Sequence, residues 1–422
     1  MTGVGPQGLP RGELLCRLQR LLLPHQPMDA IDALLRQTEA EHPGWKTGAT
    51  ADGIALYDSI TVLNELFYES PACSEAGRPD LLAAEQALFA TLSGSTAHAS
   101  ETRTYQIRQI HRLVPDALPE RAALHLFIPV PRLIPGLQDV RLVGAVPHRL
   151  ADHAMLTAGQ LHGVPILIEP RRSLPTLEVE FVVEQTVPDL FERAIPGLDS
   201  QGAGQPADLT EPVIRWLTQE RLLEAPPRDA AAAAAQVEAI LDAMEAQFEY
   251  AVLEDDPTGR LVAMLPALRF GNLLALSEFV VAALRQCGLA AQVGAGELLH
   301  LRDRAAVMRY PGSFGYRHAY VRWAHPASGA AGQLDLSYFG RWAQACTEDN
   351  TPDVEQRTRM AALGALGRSW LRRAIYPLDA IPSARVPPSL MVNLDGGESW
   401  PIRAPVDTEI TARRIAPGEG RP

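Results

Sequence analysis

The sequence predicts an α+β protein: a helical N-terminal region, then a β-rich, sandwich-like domain, then a domain in which a long apolar helix packs on antiparallel sheet. Three observations carry this prediction. Leucines recur at helical spacing near the start, and short alternating runs broken by Pro and Gly fill the second hundred residues. A long apolar helix with strand-like segments behind it occupies residues 269–338. The expected divisions are residues 1–100, 101–195 and 208–376, followed by a Pro/Gly-rich tail at 377–422 that is poorly ordered in part.

In the first region, Leu14, Leu15, Leu18, Leu21 and Leu22 mark one helix, and Ile31, Leu34 and Leu35 a second. An alanine- and leucine-rich run at 81–92 marks a third, and SPACSEAGRPD between them reads as a loop. The β-rich region opens on the alternation at Tyr105 and Ile107. It continues through apolar runs at 124–130 and 164–168 and through LEVEFVV, which alternates apolar and acidic residues. PGLDSQGAGQPA at 196–207 reads as a linker. Asp208 or Thr210 is placed to cap a helix carrying Ile214, Trp216 and Leu217, and Asp229 to cap the helix through the alanine tract at 230–235. Residues 314–338 read as two strands joined at HPASGAAG, and 351–375 as a final helix.

Bulk composition narrows the function classes. A chain of 422 residues, 46% of them hydrophobic, has material for more than one core. Its formal net charge of −12 repels nucleic acid and anionic membrane, so neither is an expected partner. The N-terminus lacks a basic start followed by an apolar run, and no apolar run reaches the ~18–20 residues of a membrane span, so a cytoplasmic setting is expected. Cys16, Cys73, Cys287 and Cys346 lie far apart with no CxxC pair, and neither a metal nor a cofactor is expected. Lys46, in a polar GWKTG turn, is the sole lysine, which discounts Schiff-base chemistry.

The chemistry-bearing stretch begins RFGNLLALSEFVVAALRQCGLAAQVGAG at Arg269. A glycine precedes a long apolar helix that ends at Cys287 and Gly288, and a short strand at 291–293 follows. YRHAYVRW at 316–323 and QLDLSYF at 333–339 then place His318 at a strand start and Asp335 on the next strand. This order resembles the transglutaminase-like superfamily, a branch of the papain-like cysteine enzymes. That family has Gly-x-Cys at a helix start, LR-x-x-G-x-x-A-x-V at its end, a His-Ala-aromatic-Val strand and then an Asp. Leu284, Arg285 and Gly288 match the second element, with Gln292 where the family usually has arginine. His318 to Val321 match the third and Asp335 the fourth, over roughly residues 245–340. The strand-rich residues 120–187 also look like the sandwich that precedes this domain in some bacterial members. Aligned through Gly288, Gly271 falls on the family glycine and Leu273 on the nucleophilic cysteine.

The resemblance implies thioester chemistry: a thiol activated at a helix N-terminus, a histidine that moves its proton, and a carboxylate that orients the histidine. Leu273 has no nucleophile, so that mechanism is excluded at this position. Ser277, one turn on and ~6 Å deeper along the helix, is expected to pack. Cys287, ~21 Å along the helix, is expected to be a buried structural thiol, and Cys346, after the Asp strand and before the polar TEDNTPD loop, is a weak substitute.

Asn272 is expected to cap the helix, with an oxyanion-binding amide as the alternative; Tyr316 and Tyr320 flank His318, and Tyr320 is expected to pack in the core, with lining the cleft as the alternative. His300 and His325 have no partner visible in sequence and read as surface residues. His318 and Asp335 have two readings of equal weight: a relic pair, buried and hydrogen-bonded between strands, or a pair that still moves a proton. The expected function is therefore non-covalent acid–base chemistry on an amide- or carrier-bound small molecule or peptide, in a tailoring or cyclising step of biosynthesis. The alternative is an inactive relative whose cleft binds a peptide or protein partner. A hydrolase recruiting Cys346 or Ser277 ranks third.

Overall fold

The computed structural model describes residues 8–24, 26–70, 101–113, 123–127, 131, 138–146, 163–167, 176–187, 207–223, 225–253, 260–298, 305–311, 318–334, 336, 375–377, 390–393, 399–402 and 406–416. Helices mix with antiparallel sheet, giving an α+β architecture.

Helices α1 (Arg11–Leu21) and α2 (Met28–Glu39) each follow an extended proline, Pro10 and Pro27. Helix α3 (Ser59–Glu69) starts at Asp58, whose carboxylate accepts from the backbone N–H groups of Ile60 and Thr61. Leu14, Leu18, Ile31, Leu35, Val62, Leu63 and Leu66 bury in one core with Trp45 and Tyr57. The region also holds a small sheet that the sequence did not reveal: β1 (Leu9–Pro10), β2 (Lys46–Ala49) and β3 (Ala55–Tyr57), in the order β1-β3-β2. Strands of two to four residues are too short to show a period of two. Lys46 ion-pairs with Glu39, whose carboxylate also accepts from Arg11 and from the Tyr57 hydroxyl. The bond to Glu39 raises the Lys46 amine above its usual range and keeps it protonated, which suits an ion pair and not a nucleophile. The expected helix at 81–92 and its preceding loop at 71–80 lie outside the described residues.

The second region gives two antiparallel sheets. Strands β4 (Glu101–Leu113) and β8 (Thr176–Val187) fall where alternation places them, and β6 (Gln138–Val146) is a strand the sequence did not mark. They are joined by β12 (Ala305–Tyr310) and β18 (Val406–Ile415) in the order β12-β18-β4-β8-β6. The other sheet combines β5 (Ala123–Phe127) and β7 (Gly163–Leu167) with β16 (Leu390–Asn393) and β17 (Ser399–Ile402), in the order β17-β16-β5-β7. The stretch read as a Pro/Gly-rich tail therefore supplies three strands, and β18 lies inside its sheet, paired with β4 over ten residues. The physical reason is visible in β18 itself: Val406, Thr408, Ile410 and Ala412 alternate onto a buried face.

The third region surrounds one apolar helix. Helix α7 (Leu273–Gln286) lies against β11 (Ala290–Leu298) and β13 (His318–Ala324) on one side. Helices α4 (Ala207–Gln219), α5 (Ala230–Glu245) and α6 (Arg260–Leu268) contact it as well. The sheet runs β14-β13-β11-β15, with β14 (Ala331–Leu334) and β15 (Ile375–Pro377) at its edges. Asp229 caps α5 as expected, accepting from Ala232 N–H at 2.8 Å. Asp208 and Thr210 lie within α4, which begins at Ala207, and not before it. Of the helix expected at 351–375 only Ile375 is described, in β15. No helix among the described residues is long and apolar enough to cross a membrane.

Candidate functional site

The start of α7 is built on two short parallel strands, β9 (Glu249–Tyr250) and β10 (Phe270–Gly271). Glu249 N–H donates to Arg269 O at 2.8 Å, and Ala251 N–H to Gly271 O at 2.9 Å. Asn272 follows and caps the helix, its side-chain oxygen accepting from Ala275 N–H at 2.9 Å. Its amide nitrogen points to Leu253 O at 3.4 Å.

Leu273 is the first helical residue, and it is 3% exposed. Its side chain belongs to a core shared with Ala319, Val321, Leu334 and Leu336. The first side chain of the helix is thus a buried aliphatic one. Ser277 is fully buried, and its hydroxyl has no hydrogen-bond partner among the described residues.

The described thiols are elsewhere. Cys287 is buried at the far end of α7, with its sulfur 3.7 Å from both Leu222 O and the Gln236 amide nitrogen. These contacts tie the helix end to the segment after α4. Cys16 lies in α1, and burial pushes its thiol above the usual range, the reverse of activation. Cys73 and Cys346 lie outside the described residues.

All seven residues of β13 are buried. Alternation divides them: Ala319, Val321 and Trp323 join the α7 core, and His318, Tyr320 and Arg322 take the other face. His318 is 2% exposed and faces Gly296 across the ladder. Tyr320 faces Gly294, where an added Cβ would lie 2.5 Å from the tyrosine ring, so that glycine makes room for the aromatic side chain. Arg322 is buried opposite Gln292. Asp335 and Tyr316 lie outside the described residues, and so does His300. Leu334 and Leu336, which flank Asp335 in sequence, are both buried in the α7 core.

His325 is a correction. It was expected at the surface, yet it is 5% exposed and locks the β13–β14 turn in place. Its Nδ1 accepts from Ser328 N–H at 3.1 Å, which leaves Nε2–H to donate to Pro227 O at 2.9 Å. The partner is 98 residues away, so no local signal announces it. No cluster of three or more His, Cys, Asp or Glu suited to a metal ion occurs among the described residues.

No family model matches the chain, and no curated protein matches it. Among solved structures the chain is similar to a "Putative Cysteine Protease" from Cytophaga hutchinsonii. The TM-score is 0.34 and the identity 10%, over 74% of this chain and 98% of that one. It is also similar to a "putative protease" from Parabacteroides distasonis, with a TM-score of 0.20 and 13% identity, over 56% of this chain and 67% of that one. Neither relation, at these scores, identifies a shared activity.

Proposed function

We propose that this is a transglutaminase-like protein that has given up thiol catalysis and performs non-covalent acid–base chemistry on an amide- or carrier-bound small molecule. The carrying observation is Leu273: the residue at the head of α7 is a buried aliphatic side chain, while an imidazole is kept at the head of β13. His318 is the acid/base, and Asp335 orients it. A tailoring or cyclising step in biosynthesis fits such chemistry. The test is complementation of a gene deletion in the native host, with metabolites compared between strains. His318→Ala is expected to fail to restore the metabolite that the deletion removes; full restoration would end this reading.

One observation favours a second reading. Asn272, Leu273, His318 and Tyr320 are all buried, which suits side chains kept to hold the framework of an inactive relative and not to meet a small substrate; such a relative would bind a peptide or protein partner. Under that reading a partner co-purifies equally with the parent protein and with a His318→Ala, Asp335→Ala double variant, and the deletion removes no metabolite.

A further inference from the structure

The N-terminal helices and the candidate site meet at one side chain. Asn64, on α3, accepts from Val252 N–H at 2.8 Å and donates to Val252 O at 3.3 Å. Its amide nitrogen also donates to Ile60 O at 2.9 Å, which fixes its rotamer on α3. The residue before, Ala251, donates the other way, to Gly271 O. Successive backbone groups of an extended chain point to opposite edges. Residues 249–253 therefore behave as a central strand, with residues 270–271 on one edge and the Asn64 amide standing in for a strand on the other. The packing agrees. Val252 is buried in the N-terminal core, and Tyr250 packs against both that core and the α7 core, with its ring 5.3 Å from Phe67.

From this arrangement we infer that Asn64 is a positioning residue for the candidate site. By holding both polar groups of Val252 it fixes the strand on which the start of α7 is built, through the Ala251–Gly271 bond and the approach of Asn272 to Leu253. The N-terminal helical region is then a structural part of the site and not a separate binding module. This rests on the reading that the head of α7 is the site, but its test needs neither substrate nor His318, so the two fail separately.

The test is amide hydrogen exchange on the full chain. In Asn64→Ala, exchange at residues 273–276 is expected to accelerate by about tenfold or more. Asn64→Asp keeps the acceptor for Val252 N–H and loses the donor, so its acceleration is expected to be intermediate. That variant carries the test if the alanine form does not fold. Acceleration confined to residues 59–70 and 249–253, with 273–276 unchanged, would overturn the proposal.

Discussion

Replacing Leu273 by alanine separates a core residue from the floor of an open cleft. At 3% exposure the leucine has nearly all of its apolar surface out of water. Burial of such a side chain contributes roughly 1.5–3 kcal/mol. Truncation to alanine adds a cavity term, because the buried cluster to which Leu273 belongs can close only in part. The Leu→Ala range of about 2–5 kcal/mol applies, and about 3 is expected here. In a domain of this size each kcal/mol moves the melting temperature by about 2–4 °C, so a fall of roughly 6–12 °C is expected. Urea unfolding followed by fluorescence and by circular dichroism gives the free energy, and calorimetry gives the temperature. A loss below about 1 kcal/mol would refute the reasoning, because it would mean that the side chain faces a solvent-filled space.

Three further outcomes follow from particular contacts. His111 is fully buried against Thr408, and burial pushes its pKa down to about 3, so the fold holds it neutral while the unfolded chain protonates near pH 6.5. Stability is then complete above pH 6.5 and is lost as pH falls toward 3. Urea unfolding at pH 7 and pH 5 is expected to differ by about 2 kcal/mol more in the parent than in His111→Leu, and equal differences would contradict the assignment. Gly288 has φ 84, and an added Cβ would lie 2.9 Å from Pro226, so Gly288→Ala is expected to cost at least about 1–2 kcal/mol in the same unfolding assay. His325→Ala strands the Pro227 carbonyl and is expected to cost about 1–3 kcal/mol, with faster amide exchange around residues 225–229.

What the sequence revealed was local, and what it hid was distant. The head and tail of α7 were legible because Asn272, the apolar run and Gly288 each act on their immediate neighbours. The β13–β14 hairpin was legible for the same reason, since a short turn joins its strands. The pairing of Val406 with Leu113 was not, because nothing near either residue encodes a partner some three hundred positions away. The alternation in β18 was nonetheless present in VDTEITARRI, and proline and glycine around it obscured it. His325 failed in the same way, its acceptor lying in the loop between α4 and α5. Asn272 caps α7 and Leu273 opens it, as the sequence reading has them. The burial of His318 is one of the two readings the sequence leaves open, because it depends on what covers both faces of β13.

The most direct test of a thiol-free, His318-dependent function is a cysteine-free chain expressed in the deletion host. Cys16, Cys73, Cys287 and Cys346 are all changed to alanine, and metabolites are compared with those of the His318→Ala strain. The cysteine-free protein is expected to restore the missing metabolite and His318→Ala is not. Loss of the metabolite in a folded cysteine-free protein, or its return with His318→Ala, would contradict the account.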